Sequence, residues 1–236
     1  MVAEYSRGPN RIARFANVSK HYGKGSGLQN FSLELHAGQA IGLLGLNGSG
    51  KTTALKLLAG MLSPSEGSLE VLGQAPRTAR GQIAYLSDAD NLYAWMTATD
   101  AERMMAGLYP DFNTGRYQEL LSFLEVPKQN YRAMSRGQRA RLRLAMVLAR
   151  DARLFLLDEP LSGIDLISRD RILKSLVLEW REDACLVLST HEVAEAEGIF
   201  ERVVFLKEGK LALDAKAEDL RAQGKSVKDA FIEVLA

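Results

Sequence analysis

The residues Gly45-Leu46-Asn47-Gly48-Ser49-Gly50-Lys51-Thr52-Thr53 hold the densest concentration of chemistry in this chain. Glycine at the first and sixth positions, then lysine and a hydroxyl residue, fits the P-loop pattern at every fixed position. Glycines let the backbone curl until successive N–H groups converge on phosphate oxygens, and a helix beginning there would aim its N-terminus at them. In this reading Asn47, Gly48, Ser49, Gly50 and Thr53 complete the cradle for the phosphates of a nucleotide. Lys51 reaches the β- and γ-phosphates and the Thr52 hydroxyl binds Mg²⁺. The bland alternative is a Gly-rich turn with a chance lysine. An apolar strand ahead of the loop and a helical run behind it argue against that.

A second concentration lies more than a hundred residues on, in Leu154-Phe155-Leu156-Leu157-Asp158-Glu159. An apolar strand cannot carry carboxylates into a core cheaply, so both acids belong at its C-terminal edge, where open α/β sheets bind ligands. Asp158 is placed to hold the Mg²⁺ shell, directly or through water. Glu159 is placed to orient or deprotonate the water that attacks the γ-phosphate. Alone, such a pair reads as a helix cap or a solvated corner; beside a P-loop the catalytic reading is the stronger.

These residues need a scaffold, and the patterning supplies one. Arg11–Val18 and Phe31–Leu35 alternate as strands about a turn at Gly23-Lys24-Gly25-Ser26-Gly27, and Gln39–Leu44 reads as a fully buried strand. Leu55, Leu58, Ala59 and Leu62 predict a helix from Lys51, stopped by Pro64 and Gly67. Ser68–Leu72 and Gln82–Leu86 are further strands. Between about Thr97 and Leu148 the period turns helical: Ala101, Met104, Met105 and Leu108, then Tyr117, Leu120, Leu121 and Leu124, punctuated by Pro110 and Pro127. A third helix runs from Arg136 or Gly137 to Ala149. The α/β pattern then resumes, with strands at Leu154–Leu157 and Ala184–Ser189 and helices at Ser168–Trp180 and Glu192–Glu197. Arg202–Lys207 and Lys210–Leu213 form a hairpin about Glu208-Gly209. The tail is helical and closes on Phe231, Ile232, Val234 and Leu235.

With those motifs in place, the chain resembles an ABC-type ATPase subunit over nearly its whole length. Met134-Ser135-Arg136-Gly137-Gln138 is similar to that family's LSGGQ signature; Ser135, Gly137 and Gln138 match, whereas Met134 and Arg136 depart. Taken alone, Ser135 would be a routine helix N-cap. The resemblance implies that two chains meet head to tail, so that Ser135 and Gly137 of one contact the γ-phosphate held by the other. Ser162-Gly163-Ile164-Asp165 looks like the D-loop that crosses such an interface, with Pro160 stiffening its approach. His191 matches the switch histidine and Tyr22 the aromatic that stacks on adenine. Where the family carries glutamine after the strand ending at Leu86, this chain has Ser87-Asp88. Asp88 is the nearest match, able to accept hydrogen bonds or join a Mg²⁺ water shell.

The implied fold is α/β: a P-loop NTPase core with a mixed central sheet, N-terminal antiparallel strands and an inserted α-helical subdomain. Residues 1–88 and 150–236 would form the core and 89–149 the subdomain of one ABC ATPase domain. The implied function is ATP hydrolysis as the motor subunit of a transporter, working as a homodimer or with a homologous ATPase subunit. It would sit at the cytoplasmic face of a membrane through a transmembrane permease, and no nucleic-acid partner is expected. Tyr93, Trp95 and Met96 are candidates for the permease contact if exposed; Trp95 packed inside the subdomain is the competing expectation. The resemblance leans toward export subunits, partly through Tyr109-Pro110-Asp111-Phe112. The alternative is an ABC-type ATPase without a transport role, of the iron–sulfur assembly kind or a regulatory switch. Nothing in the residues encodes a transported substrate.

Composition bounds these readings. The 236 residues are 47% hydrophobic and 25% charged, which describes a folded globular chain. Thirty basic residues balance 29 acidic ones, so no global bias favours nucleic acid or anionic lipid. Arg136, Arg139, Arg141 and Arg143 form a local basic cluster that suits either a contact site or a solvated helix face. Cys185, the single cysteine, reads as a small buried hydrophobe and weakly favours a reducing compartment. Met1-Val2-Ala3-Glu4-Tyr5 lacks a signal peptide's apolar core, and no run of apolar residues is long enough to span a bilayer.

Overall fold

A computed structural model describes residues 10–23 and 25–235. Met1–Tyr5, read above for a targeting signal, lies outside the described residues, as does Lys24 of the Gly-rich turn. The chain opens with β1 (Arg11–Tyr22), β2 (Gly25–His36) and β3 (Gln39–Leu44), followed by α1 (Lys51–Leu58), β4 (Glu66–Val71) and β5 (Ile83–Leu86). Three helices come next: α2 (Ala98–Leu108), α3 (Thr114–Phe123) and α4 (Arg136–Leu148). Then follow β6 (Leu154–Asp158), α5 (Leu166–Leu178), β7 (Cys185–Thr190), α6 (Val193–Ala196), β8 (Arg202–Lys207), β9 (Lys210–Lys216), α7 (Ala217–Ala222) and α8 (Val227–Leu235).

Two sheets result. The first is antiparallel, in the order β2-β1-β4. The second runs β5-β6-β7-β3-β8-β9, parallel up to β8 and closed by antiparallel β9. The expected α/β class, mixed sheet and N-terminal antiparallel strands are therefore observed.

Period-two alternation in the parallel strands divides the interior. Ile41, Leu43, Leu156 and Val187 face one way, packing with Phe15, Phe31 and Leu55 of the antiparallel sheet and α1. Leu44, Leu157 and Leu188 face the other way, into a cluster with Met105, Leu120, Leu142 and Leu176 of α2–α5. Because both faces are covered, β3, β6 and β7 are near-continuous apolar runs, which is why the sequence marked them so clearly. Cys185 is fully buried in β7, and that burial pushes its thiol up to about 12.

Several element ends differ from expectation for identifiable reasons. Tyr22 pairs with Gly25, so β1 runs on to Tyr22 and β2 begins at Gly25. Helix α1 stops at Leu58 instead of continuing through Leu62. Gly60 adopts φ +66°, its N–H donates to the Leu57 carbonyl, and the Met61 N–H donates to the Lys56 carbonyl. This is a Schellman closure, and a Cβ at position 60 would sit 2.8 Å from the Arg77 nitrogen. Helix α5 starts at Leu166, two residues before the expected Ser168, because Asp165 caps it.

The basic cluster on α4 is not a simple solvated face. Arg141 is buried and donates to the Leu124 carbonyl, while Arg139 and Arg143 engage the chain leaving β5. Tyr109-Pro110-Asp111-Phe112 also has a packing role. Buried Arg150 donates to both Asp111 carboxylate oxygens at 2.8 and 2.9 Å, and its guanidinium lies 3.8 Å from the Tyr109 ring centroid. Met96, grouped above with exposed residues, is buried, because the chain turns inward to pair its carbonyl with the Tyr131 N–H. Tyr93 and Trp95 stay outside at 67% and 63% exposure, so the packed-inside expectation for Trp95 does not hold.

Candidate active site

Strand register assembles the site. Leu44 lies level with Thr190, Asp158 with Ser189, and Leu86 with Leu157. The segments starting at Gly45, Glu159, His191 and Ser87 therefore leave one carboxyl edge of the sheet side by side, the edge where open α/β sheets take ligands.

The glycine loop is built for close approach. A Cβ on Gly45 would fall 2.4 Å from the Ser49 hydroxyl oxygen and 2.6 Å from the Leu206 carbonyl. Gly50 has φ +108°, and a Cβ there would fall 2.3 Å from the Gly27 carbonyl. Neither position admits a side chain. The loop tip, Leu46 to Gly48, is exposed, whereas Ser49 is buried with its hydroxyl unpartnered. A buried orphan donor beside converging backbone suits a ligand rich in acceptor oxygens.

Lys51 opens α1 and is 6% exposed. Its ammonium donates to the Gly45 carbonyl at 2.7 Å and lies 3.3 Å from Glu159 Oε1. The other Glu159 oxygen is 3.0 Å from His191 Nδ1. Glu159 itself sits at φ +48°, an unfavourable conformation for a residue with a Cβ. Its N–H donates to the Ser189 carbonyl at 3.0 Å, which pins the strained turn just beyond β6.

Asp158 is buried and gathers three hydroxyl donors. Ser189 Oγ donates at 2.6 Å and Thr52 Oγ1 at 3.2 Å to Oδ1, while Tyr85 Oη donates at 3.3 Å to Oδ2. Burial, reinforced by the neighbouring Asp158 carboxylate, raises the Tyr85 phenol above its usual range, so it stays a proton donor. Neither Tyr85 nor Ser189 was singled out from sequence. Ser189-Thr190, polar residues closing the apolar run of β7, carried the same signal that revealed Asp158; Tyr85 carried none.

Tyr22 stands 48% exposed beside Thr53: a Cβ on Gly27 would be 2.7 Å from Thr53 Oγ1 and 2.8 Å from the Tyr22 ring. The bare Gly27 thus lets the ring of Tyr22 close on the start of α1. The residues of the signature-like segment lie apart from the Asp158 cluster. Ser135 and Gln138 form a reciprocal cap on α4: Ser135 N–H donates to Gln138 Oε1 at 2.8 Å, and Gln138 N–H to Ser135 Oγ at 3.3 Å. A Cβ on Gly137 would strike Asp165 Oδ2 and Ser168 Oγ at the start of α5. A cavity of about 510 Å³ separates the two regions, lined among others by Asp88, Arg136, Asp158, Glu159 and Ser162. Asp88 is exposed on its rim and makes no hydrogen bond or ion pair among the described residues.

Residues 28–162 match the family described as ABC transporter. The chain belongs to that family. It is 31% identical over 214 residues to the uncharacterized ABC transporter ATP-binding protein YxlF of Bacillus subtilis (strain 168), covering 88% of this chain and 72% of that one. It is 30% identical over 226 residues to the uncharacterized ABC transporter ATP-binding protein MJ1023 of Methanocaldococcus jannaschii, covering 93% and 81%. A solved structure described as an ATP binding subunit of an ABC transporter superposes with a TM-score of 0.82 at 24% identity, covering 94% of this chain and 99% of that one; this likeness shows the fold alone. The chain is thus an ATP-binding, ATP-hydrolysing subunit of an ABC transporter. Among the described residues no helix is long and apolar enough to cross a membrane.

Proposed function

We propose that Lys51, Glu159 and His191 carry out the hydrolysis, and that the chain works as a peripheral motor on the cytoplasmic side of a transmembrane permease. The observation that carries this reading is the Glu159 carboxylate held between the Lys51 ammonium at 3.3 Å and His191 Nδ1 at 3.0 Å, over the glycine loop. In the proposed step Glu159 takes a proton from water as its oxygen attacks the γ-phosphorus. The bond to the bridging oxygen of the β-phosphate breaks, leaving ADP and inorganic phosphate. His191 holds the carboxylate in place, and Lys51 faces the phosphate oxygens.

The proposed roles of the remaining site residues are consistent with their positions. Asn47, Gly48, Ser49, Gly50, Thr52 and Thr53 cradle the phosphates, and Tyr22 supplies a ring face for adenine. The hydroxyl of Thr52 beside the oriented carboxylate of Asp158 fits Mg²⁺, which protein sites typically bind through one or two carboxylates plus phosphate oxygens and water. Mg²⁺ held there would supply charge neutralisation to the phosphates. Asp88, on the cavity rim, would take part through the ion's water shell.

Ser135, Gly137 and Gln138 sit at the start of α4, where their groups would serve nucleotide bound by a second copy in a head-to-tail dimer. Leu166 and Ile167, exposed just after the Ser162–Asp165 turn, support that interface. Residues 1–88 with 150–236 act as the nucleotide core and 89–149, carrying α2 to α4, as the helical subdomain. The exposed Tyr93–Trp95 pair on that segment supports docking to a permease.

The test is Mg²⁺-dependent ATP turnover of the purified chain against Glu159→Gln, with light scattering on the same samples. The variant is expected to lose about 10²- to 10⁴-fold in turnover, the range a positioned general base contributes. It should also accumulate an ATP-held dimer. Undiminished turnover in the variant would remove Glu159 from the chemistry.

A further inference from the structure

After β5 the chain passes the cavity rim as Ser87-Asp88-Ala89-Asp90 and reaches Tyr93 and Trp95 before turning into α2. It does not drift free. The Tyr131 N–H donates to the Met96 carbonyl at 2.7 Å and the Arg132 N–H to the Ala94 carbonyl at 2.9 Å, stitching it to the turn that leads into Ser135. Asp90 adds a side-chain clamp. Its Oδ1 accepts from the buried Tyr131 hydroxyl and lies 3.5 Å from Arg143 Nη1, and its Oδ2 accepts from Arg139 Nη1 at 3.2 Å. Arg143 also donates to the Ser87 carbonyl, and Arg139 donates to the Tyr131 and Arg132 carbonyls, each at 3.0 Å.

One carboxylate therefore reinforces, from a single point, the links among three parts: the loop carrying Asp88, the turn before Ser135, and the first two turns of α4. We infer that Asp90 is a positioning residue for ATP hydrolysis, fixing the loop beyond β5 to the N-terminus of α4 so that Asp88 and Ser135 move as one body. The inference rests on the proposed role of Ser135 toward the nucleotide of a second copy. A half-exposed acid such as Asp90, at 48%, adds little to stability through its ion pairs. A network shared between two elements can still transmit position from one to the other. That combination separates a positioning role from a merely structural one.

The experiment measures kcat, KM and melting temperature for the full chain and for Asp90→Ala, Asp90→Asn, Tyr131→Phe, Asp90→Ala with Tyr131→Phe, and Ser135→Ala. Asp90→Ala is expected to lower kcat about 2- to 30-fold, the size of effect that coupling residues carry. KM should change by less than about twofold, since the residues proposed to cradle the chain's own phosphates and adenine lie on other elements. Asp90→Asn, which keeps an acceptor for Tyr131, should recover part of kcat and serves as the primary variant if Asp90→Ala folds poorly. The double variant should be no slower than Asp90→Ala alone, because Tyr131→Phe removes a contact that Asp90→Ala has already cut.

Undiminished kcat in Asp90→Ala while Ser135→Ala slows would overturn the clamp and leave the proposed role of Ser135 standing. Undiminished kcat in both would overturn the two together. Loss of kcat only in step with a fall in melting temperature, with no recovery in Asp90→Asn, would reduce Asp90 to a structural residue.

Discussion

Asp158 shows how a single carboxylate acquires a defined direction. Three hydroxyls reach it from three elements, Thr52 on α1, Tyr85 on β5 and Ser189 on β7, and the first two use different oxygens. The glycine loop was legible in the sequence because all its fixed positions lie within eight residues and impose their geometry locally. Tyr85 was not, because its meeting with Asp158 depends on how β5 registers against β6, a fact written in no single segment. If Asp158 faces Mg²⁺ as proposed, Tyr85 is the partner that holds its second oxygen, and outer-shell partners of metal sites commonly matter 10- to 100-fold. Tyr85→Phe keeps the ring and removes only the hydroxyl. It is expected to raise the Mg²⁺ concentration for half-maximal ATP turnover about tenfold, near the lower end of that range because the bond is long. Titrating Mg²⁺ at saturating ATP checks this; superimposable curves for parent and variant would show that Tyr85 is packing alone.

At the scale of elements, the sequence located most of the strands and helices and misplaced several of their ends. The apolar runs of β3, β6 and β7 could hardly be missed, since both faces of that sheet are covered. Ends depend on a few capping contacts instead, and α5 is the instructive case. Asp165 Oδ1 accepts from the Ser168 N–H at 2.9 Å and Oδ2 from the Ser168 hydroxyl at 2.8 Å, so the helix starts two residues earlier than its apolar pattern suggests. Those hydrogen bonds, backbone first, hold the Asp165 carboxyl below its ordinary value of 3.8. A carboxyl depressed in the folded state stabilises the fold above the unfolded value, and that contribution is lost as pH falls through the folded one. Asp165→Asn keeps the capping oxygen and removes the titration. On acidification from about pH 5 to about pH 2 the variant should therefore lose less stability than the parent. Melting curves across that interval measure the difference, and parallel losses would mean that the cap adds nothing through its charge.

For the whole molecule, the exposed aromatic pair is the feature that folding alone does not explain. The chain between β5 and α2 buries Met96 and anchors Asp90, yet it presents Tyr93 and Trp95 to solvent, stacked with ring centroids 5.9 Å apart and planes inclined by 10°. Two large stacked rings left in water forgo the stabilisation that burial would give. Such paired aromatics are the kind of anchor that dominates protein interfaces. They lie on the same stretch that leaves the cavity rim at Ser87 and Asp88, so a partner seated on them would touch a segment continuous with that rim. Changing both to alanine removes the anchors without touching Lys51, Asp158, Glu159 or His191. Binding to the permease reconstituted in lipid discs is expected to weaken at least about 30-fold, the equivalent of one interface hot spot. Turnover by the isolated chain should be unchanged, because neither ring contacts the proposed catalytic groups. Undiminished binding would move the permease contact elsewhere on the surface. A loss of both binding and turnover would instead mean that the pair supports the loop beyond β5, making it part of the hydrolysis machinery.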